Sequence, residues 1–121
     1  MAKLDVEGFE PLVFRGGAKT LSAGRIPLLV MEFSSKVLLE RSGVSPNQFL
    51  AMIRDYGFQT YFVRDLLAGK ELPLDEKLTR ELLESDAQDL FLVHNSSALK
   101  AGDIFSGEVL KSYEKLPPLD P

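Results

Sequence analysis

The sequence predicts an α/β domain, a mostly parallel sheet with helices packed against it, and three observations carry that prediction. Short apolar runs, nearly unbroken, alternate with segments whose apolar residues recur every three or four positions. The joints between the two patterns are short, as at Tyr56-Gly57-Phe58, where a helical stripe gives way directly to a strand. A composition of 45% hydrophobic and 26% charged residues over 121 positions suits one domain with one core.

Taken in order, the chain opens MAKLDVEGFE. The run ending Leu4-Asp5-Val6, followed by Glu7-Gly8, reads as the carboxyl end of a strand turning into an active-site loop. Residues 9–14 place Phe9, Leu12 and Val13 at i, i+3, i+4, the spacing of an apolar helix face, and Pro11 is tolerated in a first turn that needs no amide donor. Gly16-Gly17 stops or kinks this helix, and a further short turn runs through Leu21. Residues 26–33 form an apolar run suited to a strand covered on both faces, with Pro27 at its entrance. Residues 34–41 suit a short helix ending at Gly43. Ser45-Pro46-Asn47-Gln48 is a helix start: Ser45 caps, Pro46 fits the first helical position and Gln48 completes a capping box. Phe49, Leu50, Ile53 and Tyr56 supply the inward stripe, and Gly57 ends it.

Residues 58–63 follow as a strand, and 64–73 read as a loop. Asp75 caps a helix through Glu84 on which Leu74, Leu78 and Leu82 repeat every four positions. Residues 89–94 are the last strand. Beyond it the chain is less apolar: residues 1–98 are read as the domain and 99–121 as a tail. In the tail, Val109, Leu110 and Tyr113 suit one helix over 106–115, and 116–119 reads as extended.

A formal net charge of −4 gives no electrostatic footprint for nucleic acid. No apolar run approaches the roughly 20 residues of a membrane span, and the first residues lack the basic start and apolar stretch of a signal peptide. A cytoplasmic location without membrane partners is therefore expected. With no cysteine there is neither a thiolate nucleophile nor a Cys-based zinc site, and a single His94 excludes any site needing two imidazoles from one chain.

Three stretches carry a resemblance. Lys3-Leu4-Asp5-Val6-Glu7-Gly8-Phe9-Glu10, then Val13-Phe14-Arg15-Gly16-Gly17-Ala18, then Leu29-Val30-Met31-Glu32-Phe33 resemble the second half of FkbM-type S-adenosylmethionine-dependent methyltransferases. The family pattern is a strand ending K-[IL]-D-V-E-G-x-E, a helix running into a Gly-Ala step, and a strand ending in Glu. The likeness covers most of residues 3–94.

It implies a partial class I methyltransferase (Rossmann-like) sheet of three parallel strands plus one antiparallel strand, the fourth through seventh of seven. The strand at 90–93 would then run antiparallel between those at 28–33 and 58–63. It also implies O-methyl transfer to a small metabolite or sugar. In such enzymes the cofactor lies against a first strand and its glycine-rich turn, and this sequence supplies neither; Gly16-Gly17 follows a helix. The chain would hold the acceptor side only, be inactive alone and bind S-adenosylmethionine tightly only in a complete enzyme.

Asp5 and Glu7 fall at the edge where a parallel sheet places its ligands. A carboxylate there could take the proton of an acceptor hydroxyl, or could instead cap the turn and favour the helix start. Glu32 ends a buried strand and either faces the same cleft or pairs with a cation such as Arg25 or Lys36. The spacing of Asp5, Glu7 and Glu32 is not diagnostic of a hard metal such as magnesium, and none is assigned. His94 more simply hydrogen-bonds a neighbouring loop than acts as a base. Phe49, Tyr56, Phe58, Tyr61 and Phe62 are more simply core than a stacking platform. The alternative to an enzyme half is a noncatalytic module that pairs through its first strand, either as a homodimer or with a separate amino-terminal half.

Overall fold

The apolar runs form a four-stranded mixed sheet in the computed structural model, which describes residues 2–4, 8–70, 72–84 and 87–96. The strands are β1 (Ala2–Leu4), β2 (Leu28–Phe33), β3 (Phe58–Phe62) and β4 (Gln88–His94). Their order is β1-β2-β4-β3. β1 runs parallel to β2, with Leu4 opposite Met31. β4 runs antiparallel to both β2 and β3, with Met31 and Phe62 each opposite Leu90. β1, β2 and β3 thus share a direction, and β4 lies reversed between β2 and β3 where the resemblance places it. β1 has a paired neighbour on one side only among the described residues.

The central strands β2 and β4 are buried on both faces because Leu28–Met31 and Leu90–Val93 are unbroken apolar runs. Leu29, Met31, Phe33, Leu90 and Leu92 face a core shared with the helices α1 (Glu10–Gly16), α2 (Ala18–Ser22), α3 (Ser35–Ser42), α4 (Pro46–Asp55) and, after one more helix, α6 (Glu76–Glu84). Phe14, Phe49 and Phe33 form its centre, with rings edge-on at 5.1 Å and stacked at 6.2 Å. Each fully buried side chain of this kind contributes about 1.5–3 kcal/mol. Leu28, Val30, Phe91 and Val93 point to the other face, where Val63 and Leu66 of α5 (Val63–Leu67) cover them.

The helix starts follow local chemistry. Ser45 accepts from the Gln48 amide at 3.2 Å while the Gln48 side chain accepts from the Ser45 amide at 3.1 Å, closing the capping box of α4. Asp75 accepts from the Leu78 amide at 2.9 Å. Leu82 is buried, with Leu74 and Leu78 packed at the core margin.

Two expectations are corrected. Residues 64–73 are not all loop: α5 forms because Val63 and Leu66, three apart, bury on the second face, and β3 accordingly ends at Phe62. Of the apolar stripe Phe9, Leu12 and Val13, only Val13 packs against the core. Glu10, Pro11 and Phe14 are the buried residues of α1, whereas Phe9 and Leu12 are exposed. The tail helix expected over 106–115 lies outside the described residues.

Candidate functional site

The carboxyl end of β2, the start of α1 and the residue before β4 border a cavity of about 370 Å³ lined by Gly8, Glu10, Glu32, Ser34, Val37, Leu38, Arg41 and Ala87. Backbone geometry builds its floor. Gly8 has φ +100°, and a Cβ there would sit 2.7 Å from the Val37 carbonyl oxygen. Only glycine therefore lets the backbone before α1 press against α3 at Val37. The Gly8 amide donates to Glu10 Oε2 at 2.8 Å. Glu10 is 2% exposed, so its carboxylate is held by protein donors in place of water.

Arg41 places its guanidinium 6.0 Å from the centre of the Phe9 ring, which sets the cation beside the same turn. Ser34 is the residue before α3, and its side chain makes no capping bond, while the neighbouring Ser35 hydroxyl is buried without a hydrogen-bond partner. A cavity with two carboxylate residues, a guanidinium, a serine and the apolar wall of Val37 and Leu38 can hold a small hydroxylated molecule and both accept from and donate to it.

Of the sequence candidates, Glu32 borders this cavity. It is exposed and lies opposite Asp89 across β2 and β4. Arg25 precedes β2 and so lies at the other end of the strand from Glu32, which removes it as the neutralising cation; Lys36 is in the first turn of α3. Asp5 and Glu7 lie outside the described residues. No group of three His, Asp or Glu able to hold a metal occurs among the described residues. Sequence reasoning missed Glu10 and Arg41. Glu10 had a local signal, a carboxylate at the start of a helix two residues after a glycine, whereas Arg41 reaches the site only through the packing of α3.

His94 sits at the opposite end of the sheet and is buried. Its Nε2 donates to the Tyr56 carbonyl at 2.8 Å, which leaves Nδ1 to accept from the Ser96 hydroxyl at 2.7 Å and the Ser96 amide at 3.2 Å. A second cavity of about 370 Å³ beside β3 has as its charged lining residue, among those described, the exposed Arg54. The buried carboxylate therefore distinguishes the first. Among the described residues no helix is long and apolar enough to cross a membrane. Comparison of the chain with protein-family models, curated proteins and solved structures gives no match.

Proposed function

We propose that this chain is the acceptor side of an S-adenosylmethionine-dependent methyltransferase of FkbM type, directing methyl transfer to an oxygen of a small metabolite or sugar. The observation that carries the reading is one arrangement: β4 reversed between β2 and β3, with a cavity at the carboxyl end of β2 that Gly8 and Glu10 of the Lys3–Glu10 motif line. The residues present do not fit the cofactor. Among the described residues no strand runs directly into a glycine-rich turn, the feature against which such sheets hold a nucleotide cofactor. The role of this chain is to bind the acceptor and orient its hydroxyl, with Asp5, Glu7 and Glu32 as the candidate carboxylates to take its proton. Ser34 and Arg41 supply donors along the cavity wall.

The test is titration of the isolated chain, followed by calorimetry and by amide resonances. S-adenosylmethionine is expected to give no micromolar binding, since that affinity corresponds to about 8 kcal/mol and half a cleft cannot supply it. Sugars and small polyols are expected to shift the resonances of Gly8, Ser34 and Arg41. A set of hydroxylated small molecules that moves none of these resonances overturns the acceptor reading; micromolar cofactor binding overturns the division of labour.

The one-sided pairing of β1 among the described residues supports a second reading, a noncatalytic module that binds another chain by strand addition. Light scattering that finds a folded monomer at high concentration counts against pairing with itself.

A further inference from the structure

Thr60 stands at a core position of β3 without being covered. Strand alternation puts it on the face that carries Phe58 and Phe62, both part of the main core, yet Thr60 is only partly buried. It opens onto the second cavity of about 370 Å³, which α4 bounds on one side with Leu50 and Arg54 and α6 on another with Thr79. The outer edge is closed by Pro73 and Leu74. Pro73 bridges to Tyr61, and the Leu74 amide donates to the Thr60 carbonyl at 2.8 Å. Asn95, whose own amide donates to the Gly57 carbonyl at 2.7 Å, completes the rim at the amino end of β3. Since Phe58 lies opposite His94, this cavity is at the other end of the sheet from Glu10.

Four polar side chains border this volume without a protein partner. Among the described residues Arg54, Thr60, Thr79 and Asn95 form no side-chain hydrogen bond or ion pair. The Thr60 and Thr79 hydroxyls are not sealed in the interior either, so they face open volume. No carboxylate lines the cavity among the described residues. Asp75 and Glu76 border the adjoining groove together with Arg80, and Asp75 is engaged by the Leu78 amide. A guanidinium offers only donors, in a planar fork that matches a carboxylate. Leu50, Pro73 and Leu74 add an apolar wall, and the volume is at the lower end of the roughly 300–1,000 Å³ of ligand pockets. We propose that this cavity binds a small organic carboxylate. Its charged group sits on Arg54, with Thr79 and Asn95 as further donors, and its apolar body lies against Leu50 and Leu74. The proposal is independent of the methyltransferase reading.

Benzoate and benzamide have nearly the same shape and differ in charge at the group that meets Arg54. Titrated into the full chain, benzoate is expected to saturate at millimolar concentration. It should shift the amide resonances of Thr60, Leu74, Thr79 and Asn95 and leave those of Gly8 and Ser34 in place. Benzamide should bind about ten-fold more weakly, the loss of one charge-assisted pair. Arg54→Gln should bring benzoate down to the benzamide level, whereas Arg80→Gln, in the adjoining groove, should change it less than about two-fold. Both arginines are exposed, so neither change disturbs the core. Thr60→Leu fills the cavity and should abolish binding of both compounds. Inorganic phosphate, which has no apolar body, should bind at least about ten-fold more weakly than benzoate. The proposal is overturned if benzoate and hexanoate both fail to saturate below about 10 mM, or if benzamide or phosphate matches benzoate. Unchanged benzoate binding in Arg54→Gln or in Thr60→Leu overturns it as well.

Discussion

The two ends of the sheet use glycine and a titratable side chain in opposite ways. At the His94 end, Gly57 and Gly24 press onto the imidazole, with built Cβ positions 2.8 Å from Nε2 and from Nδ1 respectively, and both ring nitrogens are occupied by protein partners. Phe58 packs edge-on against the ring at 4.9 Å. This end is filled and tied. At the Glu10 end, Gly8 also presses on backbone, yet a cavity remains beside it, and the buried carboxylate borders that cavity. A histidine and a glutamate of comparable burial thus serve different purposes: one joins loops, and the other stands next to open volume.

Substitutions can break this contrast, and the largest effect is expected at the tied end. Gly57→Ala puts a Cβ into the imidazole at φ +93°, and should cost about 3 kcal/mol in urea unfolding from backbone strain plus overpacking. A loss below about 1 kcal/mol would mean that the His94 end is looser than described. His94→Leu keeps most of the volume but strips the Tyr56 carbonyl of its donor, and should cost about 2 kcal/mol while leaving the amide resonances of Gly8 and Ser34 in place. Glu10→Gln retains an acceptor for the Gly8 amide and should cost only about 1 kcal/mol, but it should weaken polyol-induced shifts at the cavity. If His94→Leu weakened those shifts as much, the two ends would not be separate. Glu32→Gln, on an exposed residue, should change stability by less than about 0.5 kcal/mol. Any effect on polyol binding would then report on the cavity alone.

Legibility in the sequence followed how local the determining chemistry is. The α4 start was readable because Ser45, Pro46 and Gln48 satisfy one another within four residues. The strands were readable because burial on both faces leaves an apolar run. α5 was not readable, since five residues carry too little periodicity and Val63 and Leu66 acquire their meaning from Leu28 and Phe91, far away in the chain. The orientation of α1 misled for a related reason. Phe9, Leu12 and Val13 have better helical spacing than the buried set, which contains a glutamate and a proline, yet only Val13 of the three packs inward, and a charged residue becomes a core residue only when tertiary donors meet it. At the site, Glu32 was visible as the acidic end of an apolar strand, whereas Arg41 depends on how α3 packs.

The reversal of β4 also dictates when the molecule can come together. β2 and β3 are not neighbours, and the strand that joins them is the last of the four to leave the ribosome. A nascent chain must therefore keep one edge of β2 unpaired through about sixty residues of synthesis, since Met31 finds Leu90 only after the whole intervening stretch has been made. Contacts of that sequence separation close slowly. Translation speed across the codons for residues 34–87 thus becomes part of the folding problem for this chain.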